Sequence, residues 1–296
     1  MSLKPIDVAM GVGVALTWGM GVVFAKAAIE HFPPILLMSL RFTVTALALV
    51  WFVKLPRGDL AKICGIAFIV AAVQYSLTFT GLTGVDASVA ALVVQLEVPF
   101  LVLLGALLLK EQPSLRKWLG ILMAFSGVAL IAGEPKVGSA WLCLLMVVGG
   151  AFVWAVGQVM VRRLKRVRGM VMTAWIAVFA APQLLVMSLI FEENQLTAIR
   201  EADWVVWSTV IYLGLVMTAL GYGMWYTLVH RHPVSLIAPF LLLLPVFSVM
   251  GGVGILGEEL TGRILLGGAI VIGGVAFILI ERPPAVATVP GDGGGR

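Results

Sequence analysis

Charge is what this 296-residue sequence has least of. Asp, Glu, Lys and Arg make up 12% of it, whereas they make up about 25% of an average soluble domain. Two cysteines and three histidines are too few for a disulfide framework or a clustered His/Cys metal site. The sequence contains no P-loop, no complete G-x-G-x-x-G motif and no catalytic cluster. We therefore expect no metal, no cofactor, no ATP-driven step and no enzymatic activity.

Apolar residues, in contrast, are abundant. They make up 61% of the chain, more than a water-soluble core of this length could bury, so a lipid bilayer must surround much of the surface. Ten segments are long and apolar enough to cross it, which predicts an all-α integral membrane protein. The predicted spans are approximately 6–26, 35–53, 62–81, 86–108, 118–133, 139–161, 170–191, 205–229, 235–257 and 263–281.

The Lys and Arg residues are distributed unevenly among the loops. If the N-terminus is cytoplasmic, fifteen of them fall in cytoplasmic segments, four in outer ones and one, Arg41, within a span. The cluster at 162–168 is the strongest single anchor. The positive-inside rule then predicts that both termini are cytoplasmic. The net charge of +5 lies in short loops, a membrane pattern that gives no reason to expect a nucleic-acid partner.

The chain is internally duplicated. Six positions of the first half recur 147 residues later; the pairs are Tyr75/Tyr222, Ser88/Ser235, Glu111/Glu258, Arg116/Arg263, Gly120/Gly267 and Gly127/Gly274. Five spans per repeat would make the two halves enter the membrane in opposite orientations. Inverted repeats around a site near the midplane are a recurrent architecture of secondary transporters. We predict repeats at 1–134 and 135–282, and a disordered tail at 283–296.

Prolines and glycines recur with the repeat. Pro99 and Pro245 lie mid-span in the fourth span of each half, where a proline removes a helical hydrogen bond. Such breaks inside a bilayer indicate a protein-lined or wet space. The alternative is a pair of passive kinks. We interpret the two prolines as gates. The paired glycines of the fifth and tenth spans indicate close helix packing, either within the chain or in a homodimer.

Two charged residues lie within predicted spans. Glu97 is a carboxylate in hydrocarbon, which is costly and suggests a site for a proton, a cation or a substrate amine. A neutral Glu hydrogen-bonded to a neighbouring helix is the alternative. Arg41 is expected to pair with a carboxylate or with helix-end carbonyls.

Aromatic and amide residues within the spans are candidates for the lining of a cavity. Trp and Tyr normally prefer the membrane interface, so mid-span positions require partners for their polar groups. Ordinary core packing is the alternative for each residue alone. The candidate substrate-binding residues are Trp18, Tyr75, Gln95, Trp154, Gln158, Tyr222 and Trp225.

Several segments resemble the EamA branch of the drug/metabolite transporter superfamily. They are TWG at 17–19, LRF at 40–42, the run at 107–131, WAVGQVMVRR at 154–163, GYGMWYTLVHR at 221–231 and APFLLLLPVF at 238–247. The resemblance implies ten spans in two five-span repeats in a bacterial inner membrane. It also implies a small-molecule substrate, and bacterial exporters of amino acids, including aromatic ones, are the most similar. Drug efflux and nucleotide-sugar transport are alternatives within the same fold.

Overall fold

All ten predicted spans are helices. The computed structural model describes residues 3–110, 112–164 and 169–280, and an all-α integral membrane fold is confirmed within them. Each span begins and ends within a few residues of its predicted bounds. Spans 1 to 10 are Pro5–Ala28, Pro34–Phe52, Leu60–Leu82, Ala87–Leu108, Leu115–Ala132, Trp141–Val161, Met170–Phe191, Trp204–Arg231, Ala238–Leu256 and Gly262–Leu279.

Short helices lie in three of the connections: Pro135–Gly138, Gln195–Glu201 and Val234–Ile237. The predicted tail at 283–296 and most of the basic cluster at 162–168 lie outside the described residues. We call the end of the bundle where the chain starts the N-terminal end, and the other end the opposite end. The odd-numbered spans run from the N-terminal end to the opposite end, and the even-numbered spans run back.

Both predicted breaks are present, each a few residues before its proline. Span 4 consists of an α-helix over Ala87–Val94 and a second over Glu97–Leu109, and Pro99 is the third residue of the second helix. Span 9 begins as a 3₁₀ helix over Ala238–Leu242 and continues as an α-helix from Leu243, with Pro245 again the third residue. A proline costs nothing in the first helical turn, where its missing N–H would have no partner. Its ring would clash with the carbonyl four residues earlier in a continuous helix.

A second deviation from the α-helix also occurs in both halves. Span 3 is a π-helix over Phe68–Val73, and span 8 is a π-helix over Tyr212–Leu220. Both stretches end two residues before the paired tyrosines, Tyr75 and Tyr222. A π-helical turn adds a residue and so rotates the side chains that follow it, and such turns are frequent at functional sites.

The packing pattern is the same when the halves are exchanged. Span 1 packs against spans 8 and 9, and span 6 packs against the equivalent spans 3 and 4. Spans 2 and 7 contact each other, as do spans 5 and 10. The opposite orientation of the two repeats in a membrane stays a prediction.

The glycine stripes join spans 5 and 10 of the same chain. A Cβ atom added to Gly120 would lie 2.7 Å from the Gly274 carbonyl oxygen, and one on Gly127 would lie 2.7 Å from that of Gly267. Of the two alternatives for these glycines, the structure shows packing within the chain.

Candidate functional site

Trp18 of span 1 packs against two rings of span 8. Its ring centroid lies 5.0 Å from that of Tyr222 and 6.2 Å from that of Trp225. Its indole N–H donates to the Met217 carbonyl at 3.0 Å, which satisfies the polar end of the side chain. Tyr222 stacks in turn on Tyr226, with centroids 5.9 Å apart. Three of the predicted site residues therefore form one aromatic cluster between the two halves of the chain.

Arg41 of span 2 is a buried cation beside another predicted site residue, Tyr75. Its side chain is 1% exposed. Nε donates to the Thr218 hydroxyl at 3.0 Å, and Nη1 lies 3.8 Å from the Met38 sulfur. The guanidinium carbon is 4.9 Å from the Tyr75 ring centroid and 5.4 Å from that of Phe42, which are cation–π distances. Among the described residues, the partners of Arg41 are a hydroxyl, a sulfur and two rings, and the expected carboxylate or helix-end carbonyls are not among them.

Glu97 begins the second helix of span 4, directly after the break. The turn at Gln95 and Leu96 is closed by a bond of 3.2 Å from the Val98 N–H to the Gln95 carbonyl. That bond satisfies the carbonyl that Pro99 would otherwise clash with. The Gln95 side chain is 8% exposed. Neither the Gln95 amide nor the Glu97 carboxylate has a hydrogen-bond or ion-pair partner among the described residues. The alternative reading, in which Glu97 is hydrogen-bonded to a neighbouring helix, therefore has no supporting contact among the described residues.

Arg41 joins three spans. Its partner Thr218 lies on span 8, one helical turn before Tyr222, and the ring of Tyr75 lies on span 3. Spans 2, 3 and 8 therefore meet around this guanidinium group. Glu97 and Tyr222 are both half-buried.

Trp154 of span 6 lies in a different cluster. It packs with Phe100 and Leu101 of span 4 against a small apolar core. Within the described ranges it makes no ring contact with Trp18, which it matches in the repeat at an offset of 136 residues, the offset of the first span of each half. Gln158 is half-buried, and its amide has no partner in the same ranges. The structure therefore does not join Trp154 to the aromatic cluster of spans 1 and 8.

Pro245 is buried at a close approach of spans 1 and 9. A Cβ atom added to Gly19 would lie 2.6 Å from the Leu244 carbonyl oxygen, next to buried Pro245. The break in span 9 is therefore held against span 1, one residue from Trp18.

A cavity of about 390 Å³ opens at the N-terminal end of the bundle. It is lined by Gly169, Met170, Gly223, Tyr226, Thr227, His230 and Arg231. Tyr226 lines this open cavity and also stacks on Tyr222, so one wall of the cavity contacts the aromatic cluster.

Asp7 is an ion-pair centre at the same end that the sequence did not suggest. Its buried carboxylate accepts from Arg231 Nη1 at 3.0 Å and lies 2.9 Å from His232 Nε2. These contacts join the start of span 1 to the end of span 8. In the part of the chain that the structure describes, no three His, Cys, Asp or Glu side chains are arranged as metal ligands.

Three charged residues hold helix termini at the opposite end. The Glu258 carboxylate accepts from the Ala87 N–H at 2.5 Å, the Ser88 N–H at 3.0 Å and the Ser88 hydroxyl. This carboxylate satisfies backbone groups that the start of every helix leaves unpaired. The duplication pairs Glu258 with Glu111 and Ser88 with Ser235, but Glu111 and the Ser235 side chain lie outside the description.

Glu192 and Lys26 make the other two connections. The Glu192 carboxylate accepts from the Ile35 N–H at 2.7 Å and the Leu36 N–H at 3.0 Å, at the start of span 2. Lys26 donates to the carbonyls that end span 3, which are Leu82 at 2.8 Å, Thr83 at 3.3 Å and Val85 at 2.9 Å. Sequence reasoning placed these residues only as loop charges, because nothing in a single sequence shows which helix end a charge will reach.

Ten membrane-spanning helices, with breaks in the fourth span of each half, are the architecture of a multi-pass membrane transporter. The EamA-like transporter family model matches residues 6–133 and 141–280. The chain belongs to this family, as its sequence motifs suggested.

Similar proteins come from several bacteria. A protein of Salmonella typhimurium described as a "Probable amino-acid metabolite efflux pump" is 29% identical over 271 residues, covering 88% of this chain and 91% of that protein. The Escherichia coli protein of the same description is 28% identical, with the same coverage. One solved crystal structure superposes with a TM-score of 0.62 at 22% identity, covering 93% of this chain and 96% of that one. At that identity the likeness concerns the fold alone.

Proposed function

We propose that this chain is a secondary transporter that exports amino acids, including aromatic ones, across the bacterial inner membrane by alternating access. The observation that carries the proposal is the aromatic cluster of Trp18, Tyr222 and Trp225 beside Arg41 and Tyr75. Rings of this kind accommodate apolar side chains, whereas polar groups fix the orientation of a ligand. The names of the Salmonella and Escherichia relatives support the same substrate class.

In this proposal the substrate enters from the N-terminal end, which is cytoplasmic by the positive-inside rule. It passes Tyr226, reaches the aromatic cluster and is released at the opposite end. The two halves rock against each other around the site, and the breaks before Pro99 and Pro245 absorb the bending. The amides of Gln95 and Gln158 are available to the substrate because no protein group occupies them in the described ranges.

Counterflow of labelled phenylalanine in proteoliposomes tests the proposal. Tyr222→Ala removes the ring that contacts Trp18 and Tyr226, so we expect exchange to fall roughly tenfold or more. The matched control is Trp204→Ala, since Trp204 is 80% exposed at the start of the same span and is expected to leave exchange unchanged.

Two other substrate classes remain as outcomes of this assay. Exchange of a nucleotide sugar without exchange of any amino acid would replace the proposal by a nucleotide-sugar carrier. Exchange confined to hydrophobic drugs would make the protein a drug exporter. Equal exchange in the Tyr222→Ala and wild-type proteins would remove the aromatic cluster from the substrate path.

A further inference from the structure

The π-helix of span 8, Tyr212–Leu220, is bound by two side chains of span 2. Arg41 donates from Nε to the Thr218 hydroxyl at 3.0 Å. One turn further along span 2, the Thr45 hydroxyl donates to the Gly214 carbonyl at 3.0 Å. A Cβ atom on Gly214 would lie 3.0 Å from the Arg41 carbonyl oxygen, so the two helices also touch through their backbones. Span 2 therefore holds this irregular stretch at several points.

The Thr218 side chain follows the hydrogen-bond register of a π-helix. Its hydroxyl donates at 2.8 Å to the carbonyl of Leu213, five residues back. The N–H groups of a π-helix also donate five residues back, whereas those of an α-helix donate four residues back. In the α-helical parts of the same span, the hydroxyls of Thr209 and Thr227 bond to carbonyls only four residues back. The Thr218 hydroxyl accepts from Arg41 while it donates to Leu213, and so links span 2 to the π-helix.

The register of the π-helix sets the direction of the rings that follow it. A π-helix holds one residue more than an α-helix between the same ends. If the stretch became α-helical, later side chains of span 8 would turn by roughly 100°, the angle per residue of an α-helix. Tyr222 and Trp225 pack on Trp18 in the present register. The Trp18 indole N–H in turn donates to the Met217 carbonyl inside the π-helix. A turn of that size would take both rings away from Trp18.

Arg41 also contacts the tyrosine that follows the π-helix of span 3. Its guanidinium carbon lies 4.9 Å from the ring centroid of Tyr75, which is two residues beyond Phe68–Val73. One side chain thus contacts span 8 within its π-helix and span 3 just after its own. The Arg41 side chain is 1% exposed, so it acts on a substrate through the groups that it holds.

We propose that Arg41 is a positioning residue that fixes the register of span 8 through Thr218 and thereby makes the transporter selective for substrates with an aromatic side chain. Thr218 transmits the contact to the π-helix. The π-helix in turn presents Tyr222 and Trp225 to Trp18. This inference rests on the proposed function and names the part of it that sets specificity. A substrate with a small side chain gains little from the rings, so loss of the register costs it little.

Cysteine cross-linking in a cysteine-free background measures the register without any substrate. A Cβ atom on Gly13 of span 1 would lie 3.4 Å from the Met224 sulfur, whereas a Cβ atom on Gly223 would have no atom within 4 Å. Under mild oxidation, Gly13→Cys should therefore cross-link to Met224→Cys and not to Gly223→Cys. If the π-helix is lost, position 223 moves to the place of position 224. The preference should then reverse in a Thr218→Val protein.

Two substitutions of Thr218 test the effect on specificity. Thr218→Val removes the hydroxyl and keeps the branched shape, and Thr218→Ser keeps the hydroxyl. In proteoliposome counterflow, Thr218→Val should weaken the apparent affinity for phenylalanine roughly tenfold or more relative to that for alanine, because two ring contacts are lost. Thr218→Ser should keep the wild-type ratio and the wild-type cross-link. The matched control is Thr209→Val, because the Thr209 hydroxyl bonds only within the α-helical part of the span.

Arg41→Met fills the space of the arginine without a donor and should change both measurements in the same direction as Thr218→Val. The double variant should be no weaker for phenylalanine than Arg41→Met alone, because the two substitutions remove the same hydrogen bond. It also leaves neither partner of that bond buried and unpaired, so it serves as the test protein if a single variant does not fold. Effects of Arg41→Met and Thr218→Val that multiply would show that Arg41 does not act through Thr218, and would overturn the positioning role.

The remaining outcomes separate this inference from the proposed function. Equal loss of phenylalanine and alanine exchange with an unchanged cross-link would give Arg41 and Thr218 a role in stability alone. A reversed cross-link with an unchanged phenylalanine-to-alanine ratio would show that the register does not set specificity. Either result overturns the inference, while amino-acid export stands. A wild-type protein that exchanges no amino acid would end the proposed function, and the cross-link would still report whether Arg41 fixes the register.

Discussion

Single glycines set the distance between spans 5 and 10. A Cβ atom on Gly274 would lie 2.6 Å from the Ala124 nitrogen and 2.7 Å from the Gly120 carbonyl oxygen. Backbone atoms cannot move aside as a flexible side chain can. The contact between these two helices therefore has no room for a methyl group.

Gly274→Ala should destabilise the protein by about 1–3 kcal/mol, the usual cost of overpacking. Thermal unfolding in detergent measures the change. Gly254→Ala is the matched control, because no atom lies within 4 Å of a Cβ atom there, and an alanine in a helix is about 0.5–1 kcal/mol more favourable than a glycine. A stability loss of the same size in both variants would contradict the packing explanation.

At the scale of the helix, Pro99 and Pro245 differ from Pro182, because each of them follows a break in its span. Pro182 lies inside the continuous helix Met170–Phe191 and does not divide it. The broken spans 4 and 9 each present a helix start in the middle of the bundle. In the proposed transport cycle, a break at matching positions of both repeats lets one part of each span bend while the other part stays rigid.

Pro99→Ala restores the missing N–H and should favour a continuous span 4. We expect phenylalanine exchange to slow about tenfold or more, because removing the proline can stabilise a continuous helix by up to ~3 kcal/mol. The affinity of the protein for phenylalanine should stay within a factor of about two or three. Proteoliposome exchange and calorimetry measure the two quantities. Pro182→Ala provides the control, and equal effects of the two substitutions on exchange would argue against a gating role for Pro99.

The sequence predicted the spans and their breaks but not the π-helical stretches or the long-range side-chain contacts. Long apolar runs bounded by charge predicted all ten spans, because the bilayer sets their length. Prolines predicted the breaks in spans 4 and 9, but the π-helical stretches before Tyr75 and Tyr222 have no comparable local marker. The partners of Arg41 and Glu258 depend on residues far along the chain, and a single sequence does not show which distant helix ends will meet.

The site illustrates the same limit. The pairing of Trp18 and Tyr75 with their repeat counterparts singled out aromatic residues, and Trp18, Tyr222 and Trp225 do come together. Trp154 matches Trp18 in the repeat but packs elsewhere. A symmetric sequence therefore folds into a site with unequal halves, because different neighbours surround the two copies.

At the scale of the whole molecule, equivalent spans of the two halves make equivalent contacts. This packing is consistent with two halves that are inserted in opposite directions. The predicted boundary near residue 134 falls just before the short helix Pro135–Gly138. By the positive-inside rule, the positive charge in the loops at the N-terminal end predicts that both termini are cytoplasmic.

Cysteine labelling tests this orientation. In a protein without Cys64 and Cys143, an impermeant thiol reagent should label Glu193→Cys from outside intact cells and should label Arg57→Cys only after the membrane is opened. The two positions are exposed in loops at opposite ends of the bundle. Labelling of both from the same side would contradict the arrangement of the spans, and reversed labelling would contradict the inward termini alone.

At the opposite end, Glu258, Glu192 and Lys26 bind mostly main-chain atoms, and the Ser88 hydroxyl is a side-chain donor to Glu258. Glu258, Glu192 and Lys26 act on N–H and carbonyl groups that almost every amino acid supplies. The side chains of Leu82, Val85, Ile35 and Ala87 take no part in these contacts; they are buried and pack in the core instead. Three side chains thus hold three helix junctions, and most of their hydrogen bonds do not depend on which residue supplies the main-chain group.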